Sequence, residues 1–327
     1  AVAESFGIEA QVLLARAGVV LGPAFDECGL SFREYERVMQ AVIDLIGPQG
    51  PGLEMGLRMS PTAFGSLGLA VISCPTLGEA IAVLQRFWHR FGMGLDARWN
   101  QQDGHSDLTL DALPPIQLAH APMILEATMA ALYRSLLMLV PAVEGQTDIW
   151  FDFPRPVHAT KVERQLGRVR YGMPVCRMRI PAALLEAVLP MANVLGQQAA
   201  LKACEQESAQ DVMFRHSVSA LVSQLLILHE RRYPDLEQMA HRLHMTTRTL
   251  RRQLAFEGTT YRLLRQRIER RDAMRLLEQP QLQVQHVSEM LGYENPANFT
   301  RAFRRWTGYT PQEYRQAIAS DAPASAT

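Results

Sequence analysis

The sequence contains few cysteines, and none of them lie close together. The four cysteines are Cys28, Cys74, Cys176 and Cys204, and no two of them form a C-x-x-C pair. Zinc knuckles and thioredoxin-like redox sites are built on such pairs, so neither kind of site is predicted. Scattered thiols of this kind are typical of a protein that stays reduced inside the cell.

Motifs of catalysis and of metal binding are missing as well. The chain has no H-E-x-x-H, no G-x-x-x-x-G-K-S/T loop and no G-x-S-x-G elbow. His241 and His244 have a spacing that a metal could use, but no third ligand accompanies them. We therefore predict no enzyme, no metal and no cofactor. An enzyme with activity in residues 1–205 is kept as an alternative, and it would need a nucleophilic Cys or His beside a matched base.

A membrane span is also not predicted. The apolar run from Leu67 to Leu84 is interrupted by Pro75 and Glu79 among others, which is not the pattern of a membrane span. The first residues do not show the charged segment and apolar segment of a secretory signal. We expect a cytoplasmic protein that does not associate with a membrane.

The formal net charge is zero, but the two parts of the chain have opposite charge. From residue 231 onward there are 16 Arg, no Lys and 10 acidic residues, whereas residues 1–230 hold 17 basic and 23 acidic residues. A basic segment can neutralise phosphates and release their counterions. The last third of the chain is therefore predicted to bind nucleic acid, and the first two thirds are not.

Two segments of this basic part match each other, LEQMAHRLHMTTRTLRRQL (236–254) and VQHVSEMLGYENPANFTRAF (284–303). In each, small or apolar residues recur at i, i+3, i+4 and i+7, which places them on one helical face. These residues are Leu236, Met239, Ala240 and Leu243 in the first segment, and Val284, Val287, Ser288 and Leu291 in the second. Each segment predicts a helix, a tight turn and a second helix that begins after Thr246 or Asn295.

The second helix of each unit is predicted to contact DNA. The guanidinium group of arginine forms paired hydrogen bonds with guanine or with phosphate oxygens, and the amide group of asparagine does so with adenine. In the first unit, the residues of this helix that lie outside its apolar face are Thr247, Arg248, Arg251 and Arg252. The second copy holds Pro296, Ala297, Asn298, Thr300, Arg301, Arg304 and Arg305. A merely solvated face would mix both signs of charge, whereas the run 248–252 contains no acidic residue.

The segment between Gly258 and Pro280 predicts one long linking helix, with Tyr261, Leu264 and Ile268 on one face. If it holds the two DNA-contacting helices about one turn of DNA apart, roughly 34 Å, a single chain can read two successive major grooves.

The stretches MTTRTLRRQL and LGYENPANFTRAFRRWTGYTPQEYR carry a family pattern. Its parts are the Gly292-Tyr293 pair, the N-P-x-x-F-x-R-x-F core at 295–303 and the closing T-G-x-T-P-x-E-Y-R at 307–315. Residues 236–315 thus resemble the DNA-binding domain of AraC-type transcription regulators. The resemblance implies that these residues face DNA: Arg248, Arg251, Arg252, Ala297, Asn298, Thr300 and Arg301. Because Pro296 and Ala297 offer no side-chain hydrogen bonds, the first helix is expected to dominate base readout, and the second mainly to grip phosphates.

The first two thirds of the chain predict an α+β domain. Strands are expected at Leu95–Asn100, Ser106–Leu110, Thr147–Phe153 and Val175–Ile180, and helices at Thr76–Phe91 and 119–139. The segments FGSLGLAVISCPTLGEAIAVLQRFW (64–88) and YGMPVCRMRIPAALLEAVLP (171–190) resemble the arabinose-binding-like effector domain of one AraC-type subgroup. That resemblance implies a small-molecule effector, with amino acids and related metabolites among the candidates. Arg58, Arg134 and His120 could each hold a carboxylate, while the aromatic residues fit an ordinary core.

The expected architecture is an α+β sensor domain (1–205), an all-α domain with two linked helix-turn-helix units (206–318) and a disordered tail (319–327). The predicted function is that of a sequence-specific transcription regulator controlled by an effector. Its expected partners are promoter DNA, RNA polymerase and a second copy of the chain. An architectural DNA binder without ligand sensing is the alternative, and graded losses of affinity at single base changes would distinguish the two.

Overall fold

The structure is a computed structural model that describes residues 2–20, 32–91, 94–102, 104–112, 120–207, 218–229 and 232–320. The described residues divide into two compact units, an amino-terminal unit up to residue 207 and a carboxy-terminal unit from residue 218. The first unit combines helices with a sheet, and the second is built from helices. The expected α+β and all-α classes are thereby confirmed.

The amino-terminal unit contains nine described α-helices and one sheet. The helices are α1 (Val2–Ser5), α2 (Ala10–Ala17), α3 (Phe32–Ile46), α4 (Pro51–Arg58), α5 (Gly65–Ile72), α6 (Leu77–Phe91), α7 (Ala121–Leu139), α8 (Ala159–Leu166) and α9 (Val194–Glu207). Helix α6 begins as predicted after Thr76, whose hydroxyl accepts a hydrogen bond from the N–H of Glu79 at 3.3 Å. The predicted helix at 119–139 corresponds to α7.

The sheet has five strands in the order β1-β2-β5-β3-β4. Their bounds are β1 (Leu95–Gln102), β2 (His105–Ala112), β3 (Asp148–Trp150), β4 (Arg168–Arg170) and β5 (Cys176–Pro181). The β1–β2 hairpin, β3 and β5 confirm the predicted strands. Strand β4 was not predicted, because its single apolar residue, Val169, lies between two arginines and shows no apolar pattern. It pairs in parallel with β3.

One face of the sheet is polar and the other apolar. Across all five strands the register aligns Arg98, Thr109, Arg177, Trp150 and Arg170 in one row. The guanidinium of Arg177 lies 3.4 Å from the ring centroid of Trp150, and both side chains are buried. Successive residues of a strand point to opposite faces, so the other face carries residues of the apolar core.

Helices α4 and α7 pack with their backbones in close contact. A Cβ atom added to Gly56 would lie 2.2 Å from the carbonyl oxygen of Ala127, so only glycine fits there. Helix α7 is long and apolar enough to span a membrane, but 61% of that stretch is buried within the unit. It has the place of a core helix.

A buried carboxylate joins three parts of this unit. Glu126 of α7 is 2% exposed, and its Oε1 accepts a hydrogen bond from the N–H of Leu53 in α4 at 2.8 Å. Its Oε2 lies 2.8 Å from Nε2 of His158, which directly precedes α8. The Nδ1 atom of His158 lies 3.0 Å from the carbonyl oxygen of Pro48. The hydrogen bond with Glu126 raises the pKa of His158.

The described helices of the carboxy-terminal unit follow one another with short connections. They are α10 (Val218–Leu225), α11 (Leu236–Arg242), α12 (Thr247–Phe256), α13 (Tyr261–Leu277), α14 (Val284–Met290), α15 (Pro296–Thr307) and α16 (Pro311–Ser320). Of the predicted disordered tail (319–327), Ala319 and Ser320 instead belong to α16, and residues 321–327 lie outside the described residues.

Candidate nucleic-acid interface

Helices α11 and α12 form the first helix-turn-helix unit. Asp235 and Gln238 make a reciprocal capping box at the start of α11, at 2.8 Å and 3.0 Å. Thr246 caps α12, because its hydroxyl accepts a hydrogen bond from the N–H of Thr249 at 3.1 Å. The fully buried residues of this unit are Met239, Leu250 and Leu254. The predicted helix limits and apolar face are confirmed.

Helices α14 and α15 form the second unit. Asn295 caps α15 by accepting a hydrogen bond from the N–H of Ala297 at 2.8 Å, and Pro296 occupies the first helical turn, where its missing N–H is harmless. Phe299 and Phe303 are fully buried with ring centroids 5.8 Å apart. The second unit thus has an aromatic core where the first has leucines.

The two turns share one backbone geometry. His244 in the first turn and Gly292 in the second, 48 positions apart, both have positive φ, 54° and 83°. The next residue, Met245 or Tyr293, donates its N–H to the carbonyl five residues earlier, at 2.9 Å and 3.0 Å. The sequence repeat is therefore also a structural repeat, although the first turn places a histidine where glycine is preferred.

The first half of α13 belongs to the core of the first unit. Leu264 and Ile268 are fully buried in the same cluster as Leu250 and Leu254 of α12. The phenol of Tyr233 donates a hydrogen bond to Oδ2 of Asp272 at 2.8 Å. The linking helix is thereby held against the first unit along about three turns.

The end of α13 is tied to the last helix. The phenol of Tyr314 in α16 donates a hydrogen bond to Oε1 of Glu278 at 3.0 Å. Nε of Arg315 donates a hydrogen bond to the carbonyl oxygen of Leu277 at 2.9 Å. Backbone carbonyls in the last turn of a helix have no partner within the helix, and this bond supplies one. Since α13 also contacts α14 and α15, it joins both units, as predicted.

The residues predicted to contact DNA lie on the surfaces of α12 and α15. Arg248, Arg251 and Arg252 are exposed, and Thr247 is half-buried. Ala297, Asn298, Arg301 and Arg304 are exposed, and Thr300 is half-buried. Nη2 of Arg301 donates a hydrogen bond to Oδ1 of Asn298 at 2.6 Å. Each helix buries one side in its own unit and presents cationic side chains on the other.

Several arginines of this unit are paired with groups of the unit itself. Nε of Arg265 lies 2.7 Å from Oε1 of Glu269, and Nη2 of Arg271 lies 3.0 Å from Oδ1 of Asp272. Arg315 binds a backbone carbonyl, as described above. A count of charges over the whole segment treats all its arginines alike, whereas Arg265 and Arg271 have acidic partners four and one positions away in the same helix.

The amino-terminal residues that could hold a carboxylate have other contacts. Arg58 forms an ion pair with Glu54 in its own helix, and Arg134 donates to a backbone carbonyl near the end of α4. His120 is buried and its Nε2 lies 2.9 Å from Oε1 of Gln40, and burial lowers its pKa. Each of the three side chains therefore already has a partner within the protein.

Comparison with known families covers both units. Residues 7–189 match the family model of the arabinose-binding domain found at the amino terminus of AraC transcription regulators, and residues 239–317 match that of a helix-turn-helix domain. The chain belongs to the AraC family of transcription regulators. An amino-terminal ligand-binding domain and a helix-turn-helix domain together define this AraC-family regulator.

Named relatives match most of the AraC-family regulator. It is 31% identical to the ornithine utilization regulator of Pseudomonas aeruginosa over 290 residues, 88% of this chain and 85% of the relative. It is 27% identical to the transcriptional regulator VqsM of the same species over 284 residues, 82% and 84% of the two chains. The crystal structure of the transcriptional regulator CdpR from that species has a TM-score of 0.45 at 25% identity, covering 94% of this chain and 96% of that one.

Proposed function

We propose that this AraC-family regulator binds promoter DNA with α12 and α15 in successive major grooves. In this proposal α12 reads bases through Arg248, Arg251 and Arg252, and α15 grips phosphates through Arg301 and Arg304. Thr247, Ala297, Asn298 and Thr300 complete the contact surface. The observation that carries the proposal is that both helices bury one face, expose a cationic one and are joined by α13.

The roles proposed for the two helices, base readout by α12 and phosphate binding by α15, can be tested separately. The test uses DNA duplexes that the full chain selects from a randomised pool. Arg251→Ala should weaken binding to the selected site by about 1–3 kcal/mol and relax specificity at one position. Arg304→Ala should weaken selected and random duplexes alike and reduce the salt slope by about 1. Equal losses of specificity in the two variants would contradict the assignment, and a wild-type footprint without sequence preference would favour the architectural alternative.

The amino-terminal domain is proposed to sense a small molecule. A ligand that binds two conformations of the regulator unequally shifts their populations, and with them promoter occupancy. The boundaries proposed for these roles are 1–205 for sensing and dimerisation and 206–318 for DNA binding, with a tail at 319–327. The similarity to an ornithine utilization regulator makes amino acids one class to test as effectors.

Three further parts of the proposal concern the assembly and its location. The regulator acts in the cytoplasm as a homodimer that forms through its amino-terminal domain, and it contacts RNA polymerase at the promoter. Sedimentation of the full chain with and without its selected duplex tests the dimer, and a single-chain mass in both cases would contradict it. Transcription in vitro with purified polymerase tests the polymerase contact.

A further inference from the structure

The amino-terminal unit contains a cavity with two adjoining lobes. The first lies among α3, α4, α5, α6 and α7 and has a volume of about 90 Å³. The second, of about 90 Å³, extends between α5, α6 and α7 and the apolar face of the sheet at Leu108 and Met178. Val71, Leu132 and Ser135 are among the residues that line both lobes. The lobes therefore lie side by side.

The walls of both lobes are mainly apolar, although Tyr35 and Ser106 are also among the lining residues. Among the described residues that line them there is no Asp, Glu, Lys, Arg or His. The hydroxyls of Thr128 and Ser135 donate to carbonyls one turn earlier in α7, at 2.9 Å and 2.7 Å. Nε1 of Trp88 donates to a backbone carbonyl of β1 at 2.8 Å. These polar atoms are engaged within the protein, and what they present to the cavity is chiefly carbon.

The size of the lobes is that of a small ligand. Protein interiors are close-packed and hold few voids larger than a water molecule. An apolar cavity of about 150 Å³ stays dry and takes up benzene. Two adjoining lobes of about 90 Å³ each offer comparable room, enough for one ring or a short alkyl chain.

The lining of the cavity does not suit a sugar or ornithine, the ligands suggested by the names of the family model and of one relative. The hydroxyls of a sugar, or the charged groups of ornithine, would lose their water on entry and would meet no charged partner among the described lining residues. Apolar groups make no hydrogen bonds with water that they could lose, and their transfer from water into an apolar cavity is favourable. An amino acid or a sugar is therefore a poor occupant of this cavity.

We infer that the cavity binds the uncharged apolar part of a ligand, a single aromatic ring or a short alkyl chain, and that this ligand is the effector. The second half of the inference rests on the proposed function, whereas the first half does not. None of the residues that line the cavity belongs to the DNA-binding helices, so binding to the cavity can be tested without DNA.

The test uses the full chain, with toluene as the apolar probe and L-ornithine and L-arabinose as polar ones. Toluene should raise the unfolding temperature in a saturable manner, because a ligand that binds only the folded state stabilises it. The two polar compounds at equal concentration should have no such effect. Saturable stabilisation by ornithine or arabinose but not by toluene would overturn the assignment of ligand class.

Variants locate the binding site. Ser135→Leu fills the region shared by the lobes and should lower toluene affinity at least tenfold. Met138→Leu changes a residue of the same helix that is 47% exposed and lines neither lobe, and it should leave the affinity unchanged. If a correctly folded Ser135→Leu protein keeps the wild-type affinity, the cavity is not the site.

A fluorescence measurement on the wild-type chain does not depend on the folding of any cavity variant. Trp88 and Trp99, whose rings lie 5.5 Å apart, line the first and second lobe, while Trp150 and Trp306 line neither. Bromobenzene should therefore quench part of the tryptophan emission saturably, and Trp88→Phe should reduce the quenched fraction. Quenching that is purely collisional would overturn the inference. The proposed function is tested separately, since a wild-type chain that does not bind DNA sequence-specifically would count against that function and not against binding to the cavity.

Discussion

The turn of the second helix-turn-helix unit depends on the left-handed conformation of Gly292, whose φ is 83°. In Gly292→Ala, the added Cβ atom makes this conformation unfavourable by about 1–2 kcal/mol. The alanine also restricts the unfolded chain, which returns about 0.4–1 kcal/mol. The expected result is a net destabilisation of about 1 kcal/mol, from the difference of these terms.

The first unit supplies a matched control at the equivalent position. His244 already adopts a φ of 54° with a side chain present. His244→Gly relieves the strain of about 1 kcal/mol and adds glycine entropy of about 0.5–1 kcal/mol. The two effects nearly cancel, so this variant should be close to the wild type in stability.

Hydrogen exchange of the full chain, measured by mass spectrometry, separates the two units. Gly292→Ala should speed exchange in peptides from α14 and α15 about fivefold, the factor that corresponds to about 1 kcal/mol. His244→Gly should leave peptides from α11 and α12 within about twofold of the wild type. Unchanged exchange in Gly292→Ala, or a fivefold rise in His244→Gly, would refute the view that positive φ limits residue choice in these turns.

Two further predictions concern the cores of the units. The raised pKa of His158 means that its stabilising interaction with Glu126 is complete below the ordinary histidine pKa of about 6.5 and is lost as pH rises through the higher folded value. Urea unfolding should therefore show stability falling above that range, less so in His158→Gln, and equal falls in both proteins would contradict the assignment. In the carboxy-terminal unit, Ile268→Ala removes a fully buried side chain and should destabilise by about 2–5 kcal/mol. The same change at Leu263, 38% exposed on the same helix, should cost less than about 1 kcal/mol, and similar losses would show that Ile268 is not a core residue.

The helices of the carboxy-terminal unit could be predicted in detail from the sequence. The 3.6-residue period places Met239 and Leu254 on buried faces, and capping chemistry places the helix starts at Thr246 and Asn295. These signals are local, since they connect residues within one or two helical turns. The β1–β2 hairpin was predictable for the same reason, because alternation over neighbouring residues marks both strands.

The remaining features depend on residues that are far apart in the sequence. The sequence by itself determined the family, the two helix-turn-helix units and which arginines follow their apolar faces. Only the tertiary structure decided that β4 pairs with β3, that Arg134 binds a backbone carbonyl of α4, and that five helices line an apolar cavity. Periodicity and capping act between neighbours along the chain, whereas a cavity or the pairing of two strands is set by which distant surfaces pack together, and no local pattern records that choice.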